Sequence, residues 1–248
     1  MQAIRLGVLL PTGNRVLEPD MYKMAPKGVT VHFERLGIIY RAAPPPGSVE
    51  GGLRQRSSHG EDIERATKVI ASVEPKVIAY GCTSGSYFKG IDYNKELIRK
   101  MEAAAGIPAI TTSMASVEAL RELGLKKVCF ITPYDDFFTE KGKEFFEASG
   151  FEVPVTKHLT ITSFERKQLP PEAVLKLTHE LAISAYNPSC DGIFCSCTGF
   201  NAIEIIEEVE KEIGKPMISA NQATMWLMLK IAEVRKAIKG FGELMTHL

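Results

Sequence analysis

Two stretches, Tyr80-Gly81-Cys82-Thr83-Ser84 and Cys195-Ser196-Cys197-Thr198-Gly199, carry the same pattern: an apolar run halts at a Cys-Thr pair followed by small residues. Each follows a strand-like segment, Lys76-Val77-Ile78-Ala79 before the first and Asp191-Gly192-Ile193-Phe194 before the second. Both thiols are therefore expected at the C-terminal ends of strands, where open α/β sheets hold their ligands. Matched cysteines at matched strand ends point to a pair of thiols facing one substrate.

The match extends outward from the cysteines. Ile4-Arg5-Leu6-Gly7-Val8-Leu9-Leu10-Pro11-Thr12-Gly13-Asn14 precedes the first, and Lys126-Lys127-Val128-Cys129-Phe130-Ile131-Thr132-Pro133-Tyr134-Asp135 precedes the second; both are apolar strands ending in a Pro/Thr turn. Gly106-Ile107-Pro108-Ala109-Ile110-Thr111-Thr112 follows the first and Gly214-Lys215-Pro216-Met217-Ile218-Ser219-Ala220 the second. Three paired features in one order make an internal repeat of about half the chain, much longer than a solenoid unit. The expectation is an α/β protein of two similar lobes, 1–115 plus 221–248 around Cys82 and 116–220 around Cys197. No linker separates them, so they should meet through Ala109 to Val117.

Composition narrows the partners. Thirty basic residues balance thirty acidic ones among 248, which leaves no electrostatic footprint for nucleic acid or anionic lipid. No apolar run approaches the ~20 residues of a membrane span, and the first strand begins within a few residues of the N-terminus, so neither membrane nor signal peptide is expected. A cytoplasmic protein with reduced thiols fits the five cysteines, 82, 129, 190, 195 and 197, better than a disulfide framework does.

The rest alternates as a parallel α/β fold requires. Val29 to Leu36 reads as a second strand, and Ser57 to Ser72 as a helix with Ile63, Ala66, Val69 and Ile70 on one face. Asn94 to Ala105 and Ser113 to Leu123 read as helices, as do Phe138 to Ala148 and Pro171 to Tyr186, with a strand at Val153 to His158 between the last two. Asn201 to Ile213 is expected to be helical with Cys197-Thr198-Gly199 at its N-terminus, and Gln222 to Ala237 to return to the first lobe. Arg41 to Ser48, with three consecutive prolines, is an irregular segment that is either a lid or a connector.

The chemistry starts from the thiols. Free N–H groups at a helix N-terminus stabilise a thiolate, so Cys82 and Cys197 are candidate nucleophiles or bases. Thr83, Ser84, Thr198 and Gly199 beside them offer hydroxyls and amides that suit a carboxylate or a developing enediolate. A free cysteine is more often a small buried hydrophobe, the reading given to Cys129, Cys190 and Cys195. Cys195-Ser196-Cys197 lacks the spacing and companion ligands of a zinc site, the five histidines are scattered, and Gly81-Cys82-Thr83-Ser84-Gly85 lacks the lysine of a phosphate loop; no metal or phosphate-loop cofactor is expected.

With these residues in view, Gly81 to Ser84 paired with Ser196 to Gly199 resembles the aspartate/glutamate/hydantoin racemase superfamily. Pro11-Thr12-Gly13-Asn14 with Glu18, Thr132-Pro133-Tyr134, and Gly240-Phe241-Gly242 resemble its maleate cis-trans isomerase and arylmalonate decarboxylase branch. The resemblance spans nearly the whole chain. It implies two pseudo-symmetric flavodoxin-like lobes, each a parallel sheet flanked by helices, with a cofactor-free site in the cleft between them and a homodimer. It also implies substrate-binding roles for Asn14, Thr83, Ser84, Tyr134, Ser163, Thr198 and Gly199. Decarboxylases of this branch keep only the thiol equivalent to Cys197, whereas this chain has both, which favours isomerisation of a small dicarboxylic acid with Cys82 as nucleophile and Cys197 as acid/base. The chain departs from the isomerase pattern at Thr12-Gly13, where that pattern has Ser-Ser, and at Ser163, where it has asparagine. The rival readings are a two-cysteine racemase, an arylmalonate decarboxylase-like enzyme and a binding protein for small acids.

Overall fold

The computed structural model describes residues 3–37, 48–159, 161 and 163–248, without the side chains of Ser163 and Phe164. The proline-rich segment from Arg41, read as lid or connector, lies outside the described residues except for Ser48.

Two four-stranded parallel sheets form the frame. The first is built from β1 (Ile4–Pro11), β2 (Val29–Leu36), β3 (Ile78–Tyr80) and β4 (Ala109–Thr111), in the order β2-β1-β3-β4. The second, from β5 (Lys127–Thr132), β6 (Glu152–His158), β7 (Gly192–Cys195) and β8 (Met217–Ser219), has the order β6-β5-β7-β8 and is again parallel. The central strands are apolar throughout because both sheet faces are covered; Leu6, Val8, Leu9 and Leu10 of β1 are all buried. The chain order reverses between β1 and β3 in one sheet and between β5 and β7 in the other, which opens a crevice at the strand ends of each. Cys82 follows β3 and Cys197 follows β7, so the repeat read from the sequence puts both at the same place in their sheets.

The helices follow the same logic. In the first half they are α1 (Leu17–Met24), α2 (Val49–Ala71), α3 (Thr83–Tyr87), α4 (Gly90–Ala105) and α5 (Thr112–Glu122). In the second half they are α6 (Asp136–Ala148), α7 (Ser163–Arg166), α8 (Pro171–Ala185), α9 (Ile206–Ile213) and α10 (Ala220–Ile231). Two of them join the halves. Ala115 and Val117 of α5 and Trp226 of α10 belong to one buried apolar cluster that also takes in Val8 of the first sheet and Phe130 and Phe194 of the second. Thr224 of α10 donates a hydrogen bond to Thr112 of α5 at 3.1 Å within that junction.

Several element boundaries differ from expectation, α4 among them, which begins at Gly90 rather than Asn94. Helix α2 begins at Val49 rather than at residue 57, because the Ser48 side chain accepts the Gly51 amide and the Gly51-Gly52 pair is carried inside the helix instead of preceding it. Helix α9 begins at Ile206 rather than at 201, and turns occupy much of the stretch from Thr198 to Ile205. Helix α10 starts with a Ser219–Gln222 capping box and ends at Ile231, six residues before Ala237. The short helix α1 is unanticipated, and α3 supplies the helix expected to start at Cys82, though with only five residues. No described helix is long and apolar enough to cross a membrane.

Candidate active site

Four strand ends converge. β1 leads to Asn14, β3 to Cys82, Thr83 and Ser84, β5 to Tyr134, and β7 to Cys197, Thr198 and Gly199. The Thr198 hydroxyl donates to the Gly81 carbonyl at 2.9 Å and accepts from Asn14 Nδ2 at 3.0 Å, so the loops after β1, β3 and β7 are tied together by buried hydrogen bonds. Asn14 is anchored in turn, its Oδ1 accepting the Val16 and Leu17 amides at the start of α1 at 2.9 and 3.0 Å. Below Thr198, Asn221 donates to the Thr198 carbonyl at 3.3 Å and to the carboxyl of Asp20 at 2.7 Å. Burial pushes the Asp20 carboxyl up to about 7 against that Asn221 hydrogen bond. Asn14 and Thr198, expected to grip substrate, thus spend most of their bonding capacity on closing the site.

Cys82 stands at the N-cap of α3, 9% exposed. Burial raises its pKa; the Arg56 guanidinium, the Gly85 amide and the Tyr80 hydroxyl act in the opposite direction, and the neighbouring Cys197 adds to the rise. The expected lowering at a helix N-terminus is therefore outweighed, because α3 has only five residues and the sulfur is almost wholly removed from water. The sulfur packs over Gly85, where a Cβ would come within 2.8 Å of it and closer still to the Tyr80 hydroxyl. That hydroxyl sits 3.1 Å from His59 Nδ1. Burial holds His59 down at about 4, so the ring is neutral, and its Nε2 has no hydrogen-bond partner among the described residues.

Cys197 is held differently. Its backbone has φ +103°, a conformation that costs a non-glycine residue about 1–3 kcal/mol and survives only where the surroundings impose it. The amide of Gly199 donates to its sulfur at 3.3 Å, and the buried Arg166 reaches the Gly199 and Pro133 carbonyls at 3.4 Å. With α9 starting at Ile206, the helix expected to begin just after this thiol does not; the Gly199 amide and a turn of positive φ stand in its place. All five cysteines are free. Cys129, Cys190 and Cys195 are buried in the second lobe, and burial raises Cys129 to about 12, so these thiols behave as apolar filling.

The remaining groups complete one enclosure. Thr83 is fully buried, and its Oγ1 has no partner among the described residues, a vacancy that suits a ligand oxygen. Burial, reinforced by Cys197, Tyr87 and Cys82, holds the Tyr134 phenol well above its ordinary range, so it stays protonated as a donor. Both thiols act to raise the Tyr134 and Tyr87 phenols, and Cys197 likewise raises Cys82. The Ser163 side chain lies outside the described residues. No three His, Cys, Asp or Glu side chains gather as a metal site among them.

Comparison with known proteins follows this geometry. The family model described as arylmalonate decarboxylase matches residues 55–245. An arylmalonate decarboxylase from Bordetella bronchiseptica is 32% identical over 242 residues, covering 96% of this chain and 95% of the relative. The chain belongs to the arylmalonate decarboxylase family. Another relative, a maleate isomerase from Alcaligenes faecalis, is 25% identical and is covered over 98% of its length by 99% of this chain. A solved structure of the Nocardia farcinica maleate cis-trans isomerase, a cysteine-to-serine mutant with a covalently bound succinylcysteine intermediate, superposes with a TM-score of 0.82 at 23% identity over 98% of each chain. Its likeness confirms the fold of two parallel sheets.

For a member of the arylmalonate decarboxylase family, the residues that the sequence reading passed over are Arg56, Tyr80 and His59. Arg56 and His59 lie on α2, which starts at Val49 and not at residue 57, so Arg56 fell just outside the expected helix. Tyr80 reads as an ordinary strand aromatic, and nothing in its neighbours marks its hydroxyl as turned toward a thiol. The signal available was Ser48 with Glu50 in the first turn, a helix start that would have carried Arg56 onto the face opposite Ser84.

Proposed function

We propose that the protein is a maleate cis-trans isomerase-like enzyme acting on a small dicarboxylic acid without a cofactor. The observation that carries this reading is the pairing of two free thiols at equivalent strand ends of two sheets, on loops joined by the Thr198–Gly81 hydrogen bond. The Cys82 thiolate adds to one alkene carbon, forming a C–S bond while the π electrons move toward the adjoining carboxylate as an enediolate. Cys197 gives its proton to the other carbon, leaving a succinyl-cysteine adduct with a single C–C bond. Rotation about that bond precedes the reverse steps, in which Cys197 takes the proton back and the C–S electrons return to sulfur, releasing the trans acid. Thr83, Ser84, Tyr134 and the Gly199 amide are the donors that steady the carboxylates and the enediolate. The succinylcysteine carried by the Nocardia relative is an adduct of this type. A homodimer in the cytoplasm, free of nucleic acid and membrane, completes the proposal.

The 32% identity to a decarboxylase supports a second reading, decarboxylation of an arylmalonate with Cys197 protonating the enediolate and Cys82 idle. Proton NMR of the protein with maleate, aspartate and phenylmalonate separates the two. Fumarate formation that is lost in Cys82→Ala is the expected result. Carbon dioxide release from phenylmalonate that persists in Cys82→Ala selects the decarboxylase, and racemisation of aspartate selects neither.

A further inference from the structure

A guanidinium stands beside the Cys82 side of the site. Arg56 of α2 donates its Nε–H to Ser84 Oγ at 2.8 Å and its Nη1–H to the Gly52 carbonyl at 2.9 Å. Its Cζ lies 3.7 Å from the centre of the Phe138 ring and 5.7 Å from that of Tyr134. Two directed hydrogen bonds and a ring face fix the plane of the group. Gly52 makes the stacking possible, since a Cβ there would stand 2.6 Å from the Phe138 ring and 2.9 Å from Nη1.

No carboxylate among the described residues pairs with this guanidinium, and its Nη2 has no acceptor there. The structure contrasts it with Arg65, which is satisfied by Asp62 and Glu34, and with Arg35, which pairs with Glu18. A half-buried cation left unbalanced by the protein is costly unless an anion arrives to share its desolvation. Its charge acts on the Cys82 thiol, on the Tyr80, Tyr87 and Tyr134 phenols, all raised by burial, and on the neutral His59, while Ser84 accepts its Nε–H. Among the described residues an anion entering here therefore meets no competing carboxylate paired with Arg56.

We propose that Arg56 is the receptor for a second anionic group of the substrate, so that the site selects dianionic acids over monoanionic ones. The inference rests on the reading of this cleft as the reaction site. Ser84, already bonded to Arg56 as acceptor, keeps its hydroxyl proton for the same anion, and the guanidinium edge offers a planar fork that a carboxylate matches. The alternative role, a strut tying α2 to Ser84, predicts equal effects on every ligand whatever its charge.

Alkylation of Cys82 tests this without relying on turnover. In Cys197→Ser, rates of Cys82 modification by iodoacetate and by iodoacetamide are measured by peptide mass spectrometry, and their ratio is compared with that in the same protein carrying Arg56→Met. The expected result is a fall of at least tenfold in the iodoacetate-to-iodoacetamide ratio, with Arg56→Lys keeping most of it. An unchanged ratio overturns the proposal, since loss of a strut would alter both reagents alike. Protection of Cys82 from iodoacetamide in the unmodified protein needs no variant: maleate or succinate should protect at no more than a tenth of the concentration of crotonate or butyrate, and equal protection also overturns it. An Arg56-dependent ratio without any isomerisation of maleate removes the proposed reaction and leaves this inference standing; isomerisation with a charge-blind ratio does the reverse.

Discussion

The hydroxyl of Thr198 donates to the carbonyl of Gly81 at 2.9 Å, one residue from each thiol, across 117 positions of sequence. It is the most direct physical link between the two Cys-Thr motifs. Thr198→Val keeps the shape and leaves the Gly81 carbonyl and Asn14 Nδ2 unpaired in the interior. A loss of about 1–3 kcal/mol is expected, read as a fall in Tm of roughly 2–4 °C per kcal/mol for a chain of this size. Turnover should fall further than stability accounts for, because the spacing of the thiols is released; unchanged kcat in Thr198→Val would show that the link is only structural.

Cys197 sits in a backbone conformation that glycine adopts freely. Cys197→Gly and Cys197→Ala should both abolish the activity that depends on this thiol, while the glycine variant is more stable than the alanine variant by about 1 kcal/mol as strain is relieved. Denaturant midpoints of the two proteins check this. Equal midpoints would mean that the turn relaxes once the sulfur is gone.

Tyr80 and His59 stand behind Cys82 as positioning residues, with no contact to substrate required. Tyr80→Phe removes a hydrogen bond that favours the thiolate, a loss of about 1.5 kcal/mol or one pH unit for a charged acceptor. The pH profile of Cys82 alkylation by iodoacetamide should therefore move upward by about one unit, with KM for an acid substrate little changed. A profile that stays in place assigns the hydroxyl to packing alone.

Asp20 gives the molecule a pH dependence of known sign. Its folded-state pKa is raised from 3.8 to about 7, chiefly by burial, so between those values the native state holds a proton that the unfolded state has released. Stability from this group is complete below pH 4 and declines as pH rises toward 7, with an upper bound of about 4 kcal/mol. Asp20→Asn, similar in shape and uncharged, should flatten the pH dependence of Tm between pH 5 and 8 and raise Tm at pH 8. Lys23 and Glu204, paired with each other beside Asp20, are the charges whose titration has to be kept apart from it. A Tm profile in Asp20→Asn that still falls across this range would assign the effect elsewhere.

Much of the fold was legible because the residues concerned report on one another locally. Apolar runs stopped by Cys-Thr marked β3 and β7, and the paired Pro/Thr turns marked β1 and β5, so the duplication of the strands was readable from pattern, while their order in each sheet was not. The thiol environment was not legible. The pKa of Cys82 is raised chiefly by burial of the sulfur against α3 and Gly85, and the setting of Cys197 turns on whether a helix starts at residue 201 or 206, a matter of turn geometry over Thr198 to Ile205. Arg56 was hidden for a third reason: its partners Ser84, Phe138 and Tyr134 lie 28 to 82 residues away, and no local periodicity encodes a guanidinium's neighbours. Asn14 and Thr198 bond to each other and to the Gly81 carbonyl, contacts no local pattern announces, since hydroxyl and amide groups suited to a carboxylate are equally suited to a carbonyl from the other motif.

Cys82 and Cys197 follow equivalent strands of the two sheets, so in the proposed reaction each half of the polypeptide supplies one of the two sulfurs. Two copies of one half-length chain, facing each other across a twofold axis, would reach the same arrangement with identical thiols. Within one chain the two sulfurs have different surroundings, Cys82 buried with Arg56 acting on it and Cys197 on a turn with positive φ, a difference that two identical half-chains could not have.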